Sequence, residues 1–571
     1  MNRFNIITPF LVVSVVFGAC KKTDYLQKYP LDAVTEPVFF KTPNDLKLYV
    51  NQYYDRSTFP IMDKSRGDAG TDIYITETSI NTRFQGIRTV NSAPPLDYRG
   101  VRSVNYFFAN YHNVEADFEQ YKQYVGEAHF FRAMFYFTLL KMFGNVQWVD
   151  QVLTTGSPEL YDTRTPRNMV ADKILADLDS AASYLSAEKT NGYTRINKWV
   201  ALLYQSRVAL YEGSWEKYHA GTSFGVSDAD PDKYFQKAAG AAAQVMASGL
   251  FDIYATGHTG RDYNDLFGLR DYSDNPEVMF WTKMDRELGI HSHSKLYRME
   301  TPEGYGITKE LADAYLCTDG KPISKSGLFK GYADITTESE NRDPRFRQTI
   351  FTTDAPWMIA QNGTVRTYQE AYNNLYTNST NSSATGYIRR KDYNPNAVYH
   401  DLNFEETPSI QFRYAEVLLN YIEARAELGE ATQTDIDNTI KKLRDRVGMP
   451  NLLINAIETD PNWDFPALSP LINEIRRERK VELALEDFRW NDIARWAGAD
   501  ELIVGKRPGG AKAAQFSHAP ALPVDPNGFL DPFANAVPNG YGFKTDRDYL
   551  DPISINELNL NPDLKQNPGW Q

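Results

Sequence analysis

Cysteine is nearly absent from this chain. Its 571 residues hold only Cys20 and Cys317, far apart, so no disulfide framework supports the fold and the body must stand on its own core. An excess of positive charge is missing too. The 61 Lys and Arg face 74 Asp and Glu, for a net charge of −13 and a pI near 5.3. A surface of that sign repels polyanions, which argues against nucleic acid as a ligand. Past residue 20 no further long apolar run occurs, so the body is not expected to span a bilayer.

The catalytic signatures are missing as well. There is no Walker phosphate loop, no His-Glu-x-x-His zinc helix and no Cys-x-x-Cys pair. Partial matches do not carry chemistry. Gly221-Thr222-Ser223-Phe224-Gly225 has the letters of a nucleophile elbow but falls between two helices, where no strand can strain the serine. His291-Ser292-His293 offers two imidazoles without a third ligand at recognised spacing, and Asp525-Pro526-Asn527-Gly528 lacks the closing glutamate of a calcium loop. Glu478, Glu482 and Glu486 step by four beside Arg479 and Arg489, the pattern of a solvated or structurally paired helix face. The expectation is a protein without catalytic residues, metal or cofactor.

What is present begins with a leader. Arg3 supplies a positive start, Ile6 to Phe17 is an apolar stretch too short to span a membrane, and Gly18-Ala19-Cys20 closes it with small residues and a cysteine. This resembles a bacterial lipobox and marks residues 1–19 as signal peptide and Cys20 as the lipid attachment site. Acyl chains contribute about 0.8 kcal/mol per buried methylene, enough to anchor a body that does not itself enter the membrane.

The remainder reads as mainly α. Apolar residues at Ala128, Phe131, Phe135, Leu139 and Met142 share a helix face that stops at Gly144. Further helices are expected over 167–185 behind Pro166, over 197–211 with Trp199, Leu202, Leu203, Ser206 and Leu210 inward, and over 232–248, where a run of alanines permits close approach. Two more, 413–428 and 434–446, end at Gly429 and Gly448. They come in degenerate tetratricopeptide-type pairs. Between 249 and 408 turn signals break the chain into short segments, including 277–282 and 346–353, and the polar run 373–385 reads as a surface loop. The organisation is thus a helical region 20–248, a loop-rich insertion 249–408 and a helical region with tail 409–571. Loops on a rigid frame are where binding residues concentrate. Tyrosine, with 36 residues, and tryptophan, with 9, supply rings with polar edges that suit amphipathic ligands.

Ordered motifs then carry a specific likeness. Gly126-Glu127-Ala128-His129-Phe130-Phe131-Arg132-Ala133 through Phe143-Gly144, Arg195-Ile196-Asn197-Lys198-Trp199, Asp343-Pro344-Arg345, Thr385-Gly386-Tyr387, Arg413-Tyr414-Ala415-Glu416, Arg444-x-Arg446-x-Gly448 and Gln566-Asn567-Pro568-Gly569-Trp570 follow one another as in the SusD/RagB family. The resemblance spans nearly the whole chain. It implies a SusD-like helical frame, a lipid-anchored place on the outer face of a Bacteroidetes outer membrane, and a SusC-like TonB-dependent transporter as partner. It also implies non-catalytic binding of oligosaccharide or polysaccharide fragments, with peptide uptake of the RagB type as the alternative. Where family members carry ligand-binding acids and a tryptophan, this chain has Asp68, Asp72 and Tyr98, with Arg83 nearby; Trp281, Tyr297, Tyr305 and Trp357 are the candidates in the insertion. Lys480 and Asp487 replace the Arg and Gly usual in the late helix, changes expected at the surface.

Overall fold

The computed structural model describes residues 39–55, 57–60, 67–77, 79–189, 191–291, 302–400 and 405–570. The leader, Cys20 and Tyr297 lie outside these residues, as do Ser292 and His293.

The fold is mainly helical. The central helix, Lys122–Phe143, carries apolar side chains around most of its circumference and packs against both Arg99–Asn110 and Arg167–Tyr184. Asn197 caps Lys198–Tyr218 by accepting from the N–H groups of Trp199 and Val200. This helix runs seven residues beyond the expected end at Tyr211, and Gly213 within it lets Phe235 of the Pro231–Ala247 helix approach closely. The alanine-rich face of Pro231–Ala247 packs in turn against Tyr414–Glu427, which also touches Pro470–Glu482. The helix expected over 434–446 is broken in two, Gln433–Asn438 and Ile440–Val447, at Thr439 (φ −127°, ψ −88°).

The insertion is more ordered than its sequence suggests. Strand Val278–Thr282 near its start pairs antiparallel with Ser409–Arg413 just past its end, so the excursion leaves and returns at one place. Tyr74–Thr76 pairs with Tyr305–Ile307, tying the insertion to the N-terminal region. Between these ladders the insertion contributes Tyr315, Phe346, Phe351, Tyr368 and Tyr387 to a second core, shared with Ile73 and Tyr74 and with Val481 and Leu485, in which Phe351 stacks on Tyr368 at 4.2 Å. The short segment expected over 346–353 opens as a short helix, Arg345–Thr349, following Pro344. Residues 373–382 are largely exposed, as a surface loop should be, but Ser383, Ala384 and Thr385 are buried where the chain pairs beside Gly304.

Insertion and frame are joined by buried charge. Glu482 receives Arg413 at 2.7 Å, Arg446 at 2.6 Å and Arg345 at 3.0 Å. Glu478 bridges Arg345 at 2.6 Å and Arg444 at 2.9 Å. Arg413 reaches Glu277 at 2.8 Å and Glu486 at 2.6 Å, and Glu486 also holds Lys391 at 2.6 Å. With Asp343 on Arg345 the cluster sets five carboxylates against five cations, so its formal charges cancel. Glu478, Glu482 and Glu486 therefore form a paired and not a solvated set, and Glu486 lies beyond the helix end at Glu482. Lys480 is likewise no surface change: it is 7% exposed and pairs with Asp464 at 3.0 Å.

Burial alone would raise these acids. The surrounding cations more than reverse it, holding Glu482 well below the usual carboxylate range and Glu486 at about 2. An acid depressed in the folded state contributes stability that is complete above its ordinary pKa and lost as pH falls toward the folded value. The contribution of these acids to the urea-unfolding midpoint should hence be complete above about pH 5 and be lost steeply between about pH 4.5 and 2. Glu482→Gln, which leaves buried arginines without their partner, should cost about 3–5 kcal/mol at pH 7 in the same titration.

Candidate functional site

The central helix turns one face away from the core. Met134, Phe135, Thr138, Lys141 and Met142, spaced as one helical side, are only partly buried or exposed and line a cavity of about 880 Å³. Phe135 and Met142 thus leave the core face assigned to them by periodicity. Because this helix is apolar nearly all round, its spacing alone does not tell a core face from a cavity face. Gly100 of the Arg99–Asn110 helix provides the room in which the Phe135 ring lies.

Further segments complete the wall, among them the Ser409–Arg413 strand with Gln411 and Phe412. Residues 52–60 bring Gln52, Asp55 and Ser57; the turn before Arg99–Asn110 brings Asp97; Arg207 comes from Lys198–Tyr218; and Asp487 and Phe488 come from the loop after Pro470–Glu482, with Asn491 on the Arg489–Arg495 helix that follows. Phe488 is half-buried, with the guanidinium groups of Arg207 and Arg479 at 5.1 and 5.4 Å from its ring. The volume falls in the range of about 300–1,000 Å³ typical of small-ligand pockets.

The charges of the wall are mostly committed. Arg207 makes a two-point pair with Glu416 at 2.6 Å, Asp492 sits between Arg479 and Arg495 at 2.9 Å, and Asp97 holds Arg99 at 2.6 Å. Lys141 differs. Among the described residues its ammonium makes no ion pair or hydrogen bond and lies 5.0 Å from the Phe137 ring. Burial lowers it to about 8, with the Asp487 carboxylate opposing the shift. Two acids of the wall are lowered too, which in their case favours the charged form: hydrogen bonds from Arg99 hold Asp97 below its usual value, and at Asp55 hydrogen bonds from Thr58 and Ser57 outweigh burial.

Three of the residues singled out from sequence converge on the loop that supplies Asp487 and Phe488. Asp68 accepts the N–H groups of Asp487 and Arg489 at 3.1 and 2.9 Å, and burial together with the Asp487 carboxylate pushes it up to about 8. Asp72 pairs with Arg489 at 2.6 Å. Arg83 lies 4.8 Å from the ring of Trp490 and binds Asp551 at 2.6 Å. None of the three lines the cavity; they hold the loop that does. Tyr305 is a neighbour of this cluster, half-buried and stacked on Tyr74 at 5.7 Å, beside the Thr308 side chain that bonds the Asp72 carbonyl.

The other candidates stand elsewhere. Tyr98 donates to the Gln147 carbonyl at 2.9 Å, although its neighbours Asp97 and Arg99 do reach the cavity. Trp357 sits half-buried on the Pro356–Ile359 strand with Arg366 at 5.0 Å from its ring. Trp281 corrects the expectation most plainly. It is 1% exposed and donates to the Gly192 carbonyl at 2.7 Å, so its ring belongs to the core and offers no face to a ligand. Sequence reasoning missed Phe135, Lys141, Arg207 and Phe488. A lysine among apolar residues at Lys141 was the available signal.

Asp487 adopts φ +68°, the left-handed region where glycine is at ease, which accounts for the glycine usual at this place. It is exposed, as expected, but on the cavity wall. Asp487→Gly should keep the loop, whose N–H bond to Asp68 is retained, and leave stability unchanged or higher by up to about 1 kcal/mol. Thermal unfolding checks this; a loss of more than that would mean the Asp487 carboxylate itself anchors the loop.

Comparison with known proteins bears on the fold and the family. A family profile described as the SusD family matches residues 270–570, and one described as starch-binding associating with outer membrane matches residues 48–210. A SusD-like protein of Formosa agariphila is 23% identical over the full length of both chains. Among solved structures, a SusD-like protein of Bacteroides fragilis is 25% identical, with a TM-score of 0.70 over 95% of this chain and all of that one. A SusD-like carbohydrate-binding protein of the same organism is 23% identical, with a TM-score of 0.70 over 92% of this chain and all of that one. With more than half of its length matched by the family profile, the chain belongs to the SusD family.

Proposed function

We propose that this protein is a lipid-anchored outer-membrane binder of oligosaccharide or polysaccharide fragments that passes its ligand unchanged to a SusC-like TonB-dependent transporter. The observation that carries the reading is the makeup of the cavity: two half-buried rings, Phe135 and Phe488, among the carboxylates, amides and hydroxyls of Asp55, Asp97, Asn491 and Ser57. A sugar presents C–H faces that lie on rings and hydroxyls that seek such polar groups. Family membership supports the same reading, as does the description of the profile matching residues 48–210. Cys20 is the proposed anchor, and Tyr305 and Trp357 remain candidate contacts outside the cavity.

Three acids of the wall favour binding over hydrolysis. Glycoside cleavage needs one carboxylic acid kept protonated near neutral pH. Asp55, Asp97 and Glu486 are all shifted the opposite way and stay ionised as hydrogen-bond acceptors.

One preparation tests the reading. Calorimetric titration against an oligosaccharide panel should give saturable heat, weakened about 3- to 10-fold by Phe135→Ala and by Phe488→Ala. Labelled palmitate should enter the intact protein and not Cys20→Ala. Heat from a peptide mixture with none from any glycan would replace this reading with peptide uptake.

A further inference from the structure

A second cavity, of about 370 Å³, opens at the start of the Arg167–Tyr184 helix, lined by Arg164, Arg167, Asn168, Ser223, Ser227 and Asn567 among others. Asp228, exposed, is the sole carboxylate residue among those lining it. The decoy Gly221–Gly225 segment supplies part of this wall.

The donors of this cavity exceed its acceptors. Arg164 has no carboxylate partner among the described residues. One of its nitrogens, Nη1, is spent on the carbonyls of Phe143 and Asn145 and the side-chain oxygen of Asn567, at 3.3, 3.1 and 2.7 Å. Its Nε and Nη2 carry no such bond, and burial without a counter-ion lowers the group to about 10. Arg167, 4% exposed, pairs through Nε and Nη2 with Glu212, but its Nη1 has no hydrogen-bond partner. That nitrogen lies 3.9 Å from where a Cβ on Gly144, itself in the cavity wall, would stand.

The third donor is the helix itself. Arg167–Tyr184 is 18 residues long and has no side-chain cap. The N–H of Arg167 goes to the Asn145 side chain and that of Met169 to Asn168 Oδ1, which leaves the Asn168 N–H at the positive end of the helix dipole. Two guanidinium groups and a helix start with one spare N–H around one hollow are the elements of an oxyanion site.

We propose that this cavity is a second binding site, separate from the larger one, for a small oxyanion group: sulfate, phosphate or the carboxylate of an acidic sugar. Arg164 supplies the charge and a planar pair of donors, Asn168 the backbone N–H, and Ser227 a hydroxyl at the lip.

Calorimetry at pH 7 and constant ionic strength, set with chloride, separates the sources. Sodium sulfate, sodium phosphate and glucuronate are titrated in parallel, with glucose as the neutral control. Saturable heat from at least one anion and none from glucose is expected. Tighter binding of glucuronate assigns the site to acidic sugar, and tighter binding of sulfate or phosphate to the free ion. Arg164→Gln and Ser227→Asp should each weaken the interaction at least 10-fold. Arg164→Gln gives up bonds to two carbonyls, so its fold is checked by circular dichroism; Ser227→Asp changes an exposed loop residue and keeps the frame. Absence of saturable heat from all three anions, or undiminished binding in either variant, overturns the proposal.

Discussion

Glu482 is the residue on which the most separate parts of this protein meet. Its carboxylate gathers Arg345 from the insertion, Arg413 from the strand that closes it, and Arg446 from the C-terminal frame. Any of these charges alone in the interior would be costly to desolvate. Together, with Glu277, Asp343, Glu478, Glu486, Lys391 and Arg444, they neutralise one another and satisfy most of their donors. The dependence runs both ways. The cluster can exist only if the insertion docks, and the docked position is the one that lets each carboxylate reach its cations.

The candidate site inherits its shape from that cluster. Glu486 is fixed by Arg413 and Lys391, and the next two residues, Asp487 and Phe488, form part of the cavity wall. Arg413 follows Gln411 and Phe412, which line the same cavity. Asp68, Asp72 and Arg83 then secure the loop from its other side. A preformed cleft needs wall residues that do not have to be ordered when ligand arrives, because ordering them on binding would subtract from affinity. Buried ion pairs on both flanks of the loop meet that need.

The frame was legible in the sequence because its signals are local. Caps, prolines and apolar spacing set the ends of Arg167–Tyr184 and Pro231–Ala247 to within one residue of where they were expected. The family motifs were legible for a related reason. Glu127 with Arg195, Arg345 with Asp343, and Arg413, Arg444 and Arg446 are charged residues buried in pairs, and a buried pair constrains both of its members. Those motifs therefore report how the chain folds more than what it binds. The site was poorly legible because its wall is drawn from segments hundreds of residues apart, and its aromatic rings carry the same letters as core rings. Trp281 looked like a platform and is core; Phe135 looked like core and faces the cavity.

Native-state hydrogen exchange compared between the protein and Glu482→Gln addresses the central claim directly, under conditions where global unfolding is rare. If the charge cluster is what docks the insertion, amides of Arg345–Thr349 and Ser409–Arg413 lose protection together in the variant while those of Lys122–Phe143 keep theirs. Unchanged protection at the first two segments, or an equal loss in all three, would contradict the account.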